Sequence, residues 1–339
     1  MELFSDISPV KELIDKAEKI VIIIHTNPDG DALGAGLAVY HFLKQQNKET
    51  ILISPNQFPL FLSWMPGSED ILVYERHINK AKQCIEESDL IFCLDFNAVN
   101  RVDKATESLK NAKAKKILID HHLYPDAFDY SFSETNTSST SELIFEFFLA
   151  LNGKQYLNKA IAECLYVGIV TDTGSFSYAC NYEKTYLIIA ELYKLGINGE
   201  QIHRKVYDTY SENRMRLLGF SLSEKLKVLP QFHAAYIVLT KEELKRFNYQ
   251  IGDTEGVVNF ALAIDGISLA ALFMERSDHT KVSFRSKGNF SVDQVARDHF
   301  EGGGHRNAAG GNLKVSLEDA IKIFEELLPG YFNELAANV

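Results

Sequence analysis

The chain has no apolar run long enough to enter a bilayer, and no basic segment near its start is followed by an apolar core. A membrane span, a membrane partner and a signal peptide are therefore not expected. Cysteine is scarce, with four residues (Cys84, Cys93, Cys164 and Cys180) and no CxxC spacing. This fits core thiols in a reducing, cytoplasmic setting. Positive charge is also short: 35 Lys and Arg against 46 Asp and Glu give a net charge of −11. That balance argues against tight, sequence-blind binding of long nucleic acid, while leaving room for a small anion held by metals and a few arginines. Internal repeats and low-complexity tracts are absent. The remaining composition, 46% apolar and 24% charged over 339 residues, is that of a globular protein with length for two substantial cores.

The most informative stretch is Val21-Ile22-Ile23-Ile24-His25-Thr26-Asn27-Pro28-Asp29-Gly30-Asp31. Four β-branched residues in a row read as a strand buried on both faces of a parallel sheet. Pro28 keeps the preceding residue extended and Gly30 allows a tight turn between two carboxylates. Helical spacing follows from about Ala32 to Lys44, so His25, Asp29 and Asp31 leave a strand's carboxyl end together at a helix N-terminus. One imidazole and two carboxylates suit a hard or borderline divalent cation. Leu90–Asp95 and Lys116–His122 repeat the device, an apolar strand ending in Asp95 and in Asp120-His121-His122. A helix from about Asn158 ends in Gly168-Ile169-Val170-Thr171-Asp172-Thr173-Gly174 and offers Asp172 there.

Elsewhere, Ser8-Pro9 opens a helix to about Lys19, and strands are expected near Thr50–Ile53 and Ile71–Tyr74. Trp64, the single tryptophan, reads more readily as a core or loop anchor than as part of a substrate mouth. Ser139 with Glu142 fits a capping box opening a helix, although the same amides and hydroxyls, Ser139 included, are candidates for meeting a phosphate. A charged helical stretch follows, then a strand near Phe232–Leu239, a hairpin from Leu269–Glu275 and Lys281–Ser286, a helix capped by Ser291, and a glycine-rich loop at Gly302-Gly303-Gly304-His305. Alternating strands and helices give an α/β fold: a doubly wound, mostly parallel sheet domain over 1–190, a helical linker over 191–220 and a smaller α/β domain over 221–339.

Taken singly, Asp95 reads as a turn residue, the paired histidines as one core and one surface residue, and Asp172 as a helix-end stabiliser. Taken together, His25, Asp29, Asp31, Asp95, His121 and Asp172 are the mixed donor set that a two-metal site for in-line attack at phosphorus requires, with ions about 3.5–4 Å apart. In this pattern the chain resembles the DHH family of phosphoesterases, named after the triplet that stands here as Asp120-His121-His122. The first motif is similar at His25 to Asp31, the second at Asp95 and the fourth at Gly168 to Gly174, in the family's order. Gly302 to His305 resembles the DHH-associated C-terminal domain.

The resemblance implies that His25 and Asp29 hold one ion, that Asp31, His121 and Asp172 hold the other, and that Asp95 bridges them. Mn²⁺ would be the usual ion, with Mg²⁺ or Co²⁺ as alternatives. Asp120 would orient its neighbours, and His122 would donate to the phosphate or leaving oxygen. It further implies substrate contacts from Arg285 and from a Gly303, Gly304 and His305 nest, with Arg101 as a second phosphate contact. A glycine run and a strand arginine are, on their own, equally read as plain loop and surface.

The members most similar hydrolyse short oligoribonucleotides (nanoRNA) to 5′-mononucleotides, and 3′-phosphoadenosine 5′-phosphate to AMP and phosphate. Competing expectations are a cyclic- or linear-dinucleotide phosphodiesterase, a pyrophosphatase or exopolyphosphatase, and, from another class, a non-catalytic nucleotide- or RNA-binding module. A homodimer is compatible with the sequence.

Overall fold

The computed structural model describes residues 2–339, which divide into two compact units, the division along the chain falling between Thr209 and Tyr210. The first unit carries six strands: β1 (Lys19–Ile24), β2 (Glu49–Ser54), β3 (Leu72–Val73), β4 (Leu90–Leu94), β5 (Lys115–Asp120) and β6 (Tyr130–Ser133). All pair in parallel, in the order β3-β2-β1-β4-β5-β6. Alternation along each strand sorts its side chains to two faces. Ile20, Ile22 and Ile24, with Leu90, Phe92 and Leu94, face the core that contains helices Gly30–Lys44, Thr140–Ala150 and Lys159–Asp172. Val21 and Ile23, with Ile91, Cys93 and Leu118, face helices Ile78–Glu86 and Thr106–Asn111. Burial on both sides is why the β1 sequence is apolar without alternation, each such isoleucine contributing about 1.5–3 kcal/mol. The strand order reverses direction between β1 and β4. Ligands of doubly wound sheets gather outside the carboxyl ends at such a point.

The second unit has a mixed sheet of β7 (Leu226–Leu229), β8 (Ala234–Leu239), β9 (Leu269–Glu275), β10 (Thr280–Ser286), β11 (Gly302–His305) and β12 (Ala308–Leu313), ordered β11-β12-β10-β9-β8-β7. Only β8 and β9 run parallel. Phe273, Val282 and Phe284 pack on helices Val292–His299 and Leu317–Ala336. The opposite face, with Ile237, Leu272 and Met274, packs on Glu212–Glu224 and Val257–Leu262. Among the described residues no helix is long and apolar enough to cross a membrane.

Three expectations need correction. The first helix stops at Lys16, because Lys19 is recruited into β1 opposite Glu49. The expected linker over 191–220 is not a separate element. Ile197, Ile202 and Val206 belong to the first core and Leu217 to a core of the second unit, so the apolar stripes of these charged helices divide the stretch between two domains. The glycine-rich loop is instead a strand: β11 pairs antiparallel with β12, Gly302 opposite Gly311 and His305 opposite Ala308. A Cβ on Gly302 would lie 1.9 Å from the Gly310 carbonyl oxygen, so close backbone approach explains the glycines there.

Candidate metal centre

Register assembles the site. Ile24 of β1 pairs with Leu94 of β4, which pairs with Ile119 of β5. The residues that follow, His25, Asp95 and Asp120, therefore emerge in one row, with strands about 4.8 Å apart. The turn after His25 is pinned by Asn56 at the end of β2. The Asn56 side-chain carbonyl accepts from the Asn27 amide at 2.6 Å and the Thr26 hydroxyl at 3.2 Å, and its amide donates to Asn27 Oδ1 at 2.8 Å. Asp29 caps helix Gly30–Lys44, one carboxylate oxygen accepting from the Asp31 and Ala32 amides at 3.0 and 3.1 Å. Asp95 adopts φ 62°, a conformation that aspartate tolerates better than most residues, with its amide donating to the Ile119 carbonyl at 3.1 Å.

The remaining ligand candidates arrive through a close helix crossing. A Cβ on Gly34 would lie 2.5 Å from the Cys164 carbonyl oxygen, and one on Gly168 would lie 2.7 Å from Asp31 Oδ1. Helices Gly30–Lys44 and Lys159–Asp172 thus meet at backbone distance, which brings Asp172 at the end of one towards Asp31 at the start of the other.

The donor atoms form two groups that share Asp95. His25 Nε2 lies 3.4 Å from Asp95 Oδ2 and 3.8 Å from Asp29 Oδ1. His121 Nε2 lies 3.6 Å from Asp95 Oδ1, 3.7 Å from Asp31 Oδ2 and 3.3 Å from Asp172 Oδ2. The Asp95 carboxylate therefore presents one oxygen to each side. His25 Nδ1 is 2.8 Å from the Thr26 carbonyl oxygen, which can only accept. Nδ1 must carry the proton, and when neutral the ring turns its Nε2 lone pair towards the carboxylates.

The electrostatics of this cluster suit a bound cation. Asp31 and Asp95 are buried, and among the described residues neither is paired with a lysine or arginine. Burial, then the charges of Asp95 and Asp172, push Asp31 well above the usual carboxylate range. Burial works in the same direction on Asp95, but its hydrogen bond to His25 and the charges of the three histidines hold it low. Burial opposes a charge on His25 too, yet Asp29 and Asp95 outweigh it and raise the imidazole to about 10. Burial and then His122 lower His121. Asp172 adds a carboxylate at a helix C-terminus, where the partial charge is already negative. Crowded anions that draw a proton onto a neighbouring imidazole are the environment a divalent cation relieves. The oxygen and imidazole donors fit Mn²⁺, Mg²⁺ or Co²⁺ in chemistry.

The DHH family N-terminal domain matches residues 19–169 and the DHHA1 domain matches residues 231–329. A protein of Streptococcus mutans, named "Probable bifunctional oligoribonuclease and PAP phosphatase NrnA", is 31% identical over 313 residues, which is 91% of this chain and 94% of that protein. The chain belongs to the DHH family. The Bacillus subtilis protein named "Bifunctional oligoribonuclease and PAP phosphatase NrnA" is 29% identical over 319 residues, 91% of this chain and 94% of that one. Among solved structures, that of an exopolyphosphatase-related protein from Bacteroides fragilis superposes with a TM-score of 0.91 at 44% identity, covering 97% of each chain.

Within the DHH triplet the roles separate. His121 reaches into the donor set, whereas His122 Nδ1 is 2.7 Å from Asp120 Oδ1 and the His122 amide donates to Asp120 Oδ2 at 3.1 Å. Fully buried Asp120 thus fixes the His122 ring and leaves Nε2 as its working atom. Arg101 stands beside the first DHH motif, its backbone carbonyl accepting from the Thr26 amide at 2.8 Å. Ser139 does not offer its hydroxyl outward. It is buried as an N-cap, accepting from the Glu142 amide at 3.1 Å. The expected capping box is only half formed, since the Glu142 carboxylate bonds Ser138 instead.

In the second unit, Arg285 of β10, Ala308 of β12 and His305 of β11 stand opposite one another, as do Ser283, Gly310 and Gly303. One sheet face therefore carries Arg285, Ser283 and His305 over a floor of small residues. Arg285 Nη1 donates to the Phe284 carbonyl at 2.9 Å, while its buried Nε has no hydrogen-bond partner among the described residues. The Gly304 amide donates to Asp293 Oδ1 at 2.8 Å, so an anion nest there would have to do without it.

The residue that sequence reasoning missed is Thr140. It lies directly after the Ser139 cap, among the amides and hydroxyls that the sequence offers as candidates for meeting a phosphate. The Thr140 and Ser141 amides instead meet Asp31, and the Thr140 hydroxyl meets Asp95.

Proposed function

We propose that this DHH-family chain is a two-metal phosphoesterase. Its substrates are short oligoribonucleotides, released as 5′-mononucleotides, and 3′-phosphoadenosine 5′-phosphate, converted to AMP and phosphate. The observation that carries the reading is the division of Asp95, with Oδ2 towards His25 and Oδ1 towards His121. His25 and Asp29 hold one ion; Asp31, His121 and Asp172 hold the second; Asp95 serves both, and Mn²⁺ is the ion assigned. Bound there, divalent ions neutralise phosphoryl charge and lower the pKa of water. His122, oriented by Asp120, donates a hydrogen bond or proton to the leaving oxygen.

Arg101 and Arg285 bind substrate anions, and the planar guanidinium of Arg285 can also stack on a base. His305 shares the face of Arg285. The relatives from Streptococcus mutans and Bacillus subtilis support this substrate class, since each aligns over more than nine-tenths of its own length. A net charge of −11 favours small substrates, because long strands would need many phosphate contacts. Replacing Arg285 by Ala is expected to raise KM by roughly 10- to 100-fold with kcat little changed, as loss of a charged hydrogen bond of about 1.5–3 kcal/mol requires. Steady-state kinetics on 3′-phosphoadenosine 5′-phosphate check this, and an unchanged KM counts against the contact.

A second reading, hydrolysis of polyphosphate or pyrophosphate, is favoured by the 44% identity to the exopolyphosphatase-related protein. One panel with Mn²⁺ separates them: short RNA, 3′-phosphoadenosine 5′-phosphate, linear and cyclic dinucleotides, pyrophosphate and polyphosphate. Turnover of the first two is expected to exceed the rest. Preference for polyphosphate would replace the leading reading, and binding without any turnover would replace both.

A further inference from the structure

The segment Ser138-Ser139-Thr140-Ser141-Glu142 is rich in hydroxyls yet fully buried, each residue being 0% exposed. At the start of helix Thr140–Ala150, two backbone amides and one hydroxyl are directed at two carboxylates of the proposed metal centre, Asp31 and Asp95. The Thr140 amide donates to Asp31 Oδ2 at 2.6 Å and the Ser141 amide to Asp31 Oδ1 at 2.9 Å, so a helix N-terminus holds both oxygens of Asp31. The Thr140 hydroxyl donates to Asp95 Oδ1 at 2.8 Å. The clamp is held from behind by Glu142. Its Oε2 accepts from the Ser138 hydroxyl at 2.5 Å and the Thr185 hydroxyl at 2.6 Å, with Lys184 Nζ 3.4 Å from Oε1. The start of this helix is thereby tied to helix Glu183–Lys194.

We infer that Thr140 is a positioning residue for the metal centre, its hydroxyl locking the Asp95 carboxylate in the rotation that gives one oxygen to each side. The inference rests on the two-metal reading above. A terminal carboxylate torsion is broad and two-fold, so the Asp95 backbone does not by itself decide where the two oxygens point. A shared carboxylate must face both ways at once, and a fixed donor on one oxygen removes the freedom to rotate away. The hydroxyl has a single proton to give and gives it to Asp95. A plain helix-start residue would have no need of that hydroxyl. Partners of metal-ligating groups typically change metal affinity or activity by about 10- to 100-fold when removed.

The test uses the full chain and Mn²⁺ alone as the first probe. Thr140→Val keeps the shape and removes the hydroxyl; Thr140→Ser keeps the hydroxyl; Thr140→Ala loses both. By calorimetric titration, Thr140→Val is expected to bind Mn²⁺ about 10- to 100-fold more weakly than wild type, with Thr140→Ser within about 3-fold. With 3′-phosphoadenosine 5′-phosphate the loss should fall on kcat and leave KM nearly unchanged. If Thr140→Val does not fold, the Ser and Ala variants carry the comparison. Equal Mn²⁺ affinity in those two, or wild-type affinity in folded Thr140→Val, overturns the inference. Wild-type protein that binds no divalent ion would overturn the metal reading itself and this inference with it.

Discussion

Replacing Asp95 by Asn is expected to lower turnover by on the order of 10³-fold or more while the chain still folds. Several kcal/mol of transition-state stabilisation depend on the cations, and each 1.36 kcal/mol is worth about tenfold in rate. The Asp95 carboxylate lies within reach of both imidazoles, at 3.4 Å from His25 and 3.6 Å from His121. Asparagine also tolerates the left-handed backbone at this position, φ 62°, which alanine would not. The metal-free chain is expected to lose stability as well. Burial disfavours the charge on Asp95, but its hydrogen bond to His25 and the charges of the three histidines hold it low, so the ionised carboxylate favours the fold at neutral pH and its removal costs stability. The thermal midpoint should fall. The rise that added Mn²⁺ gives wild type by mass action should shrink or vanish. Kinetics together with thermal scans, with and without Mn²⁺, check both parts. Near-normal turnover in this variant would sink the assignment.

Gly168→Ala should produce the largest structural effect of a single methyl. In an ordinary helix interior this change stabilises by about 0.5–1 kcal/mol. Here the new Cβ would lie 1.9 Å from Ser141 Oγ, 2.7 Å from Ser141 Cβ and 2.7 Å from Asp31 Oδ1. These atoms are buried, and Asp31 is tied down by the Thr140 and Ser141 amides. Overpacking costs about 1–3 kcal/mol and outweighs the gain in helix propensity. Net destabilisation of about 1–2 kcal/mol, with weakened Mn²⁺ binding because Asp31 is displaced, is the expected result. Urea unfolding and metal titration check it; unchanged values in both would mean that the helix crossing is looser than the distances imply.

Much of the catalytic half was legible because each ligand candidate ends an element whose pattern is unambiguous. Val21 to Ile24 and Leu90 to Leu94 are continuous apolar strands, so His25 and Asp95 had to emerge at one sheet edge. Asp172 closes a helix whose Asn158 cap and apolar spacing mark both ends. What stayed hidden depends on tertiary contact. A Ser/Thr run reads as a cap whether it faces water or a buried carboxylate, so the role of Thr140 left no local signal. Glycine has low strand propensity, and only the close approach of β12 explains why Gly302 to His305 extend as a strand. The charged faces of helices Gly199–Tyr207 and Glu212–Glu224 suggested a connector, but their apolar stripes bury in different cores. In Ser139 and Glu142 the spacing of a capping box was present, yet the buried glutamate found better partners in Ser138 and Thr185.

The central claim is that Asp95 is shared by two metal ions. Anomalous diffraction at the manganese edge from crystals grown with Mn²⁺ tests it most directly. The expected map has two peaks about 3.5–4 Å apart on either side of the Asp95 carboxylate, one beside His25 and Asp29 and the other beside Asp31, His121 and Asp172. A single peak, or two peaks that do not both touch Asp95, would contradict it.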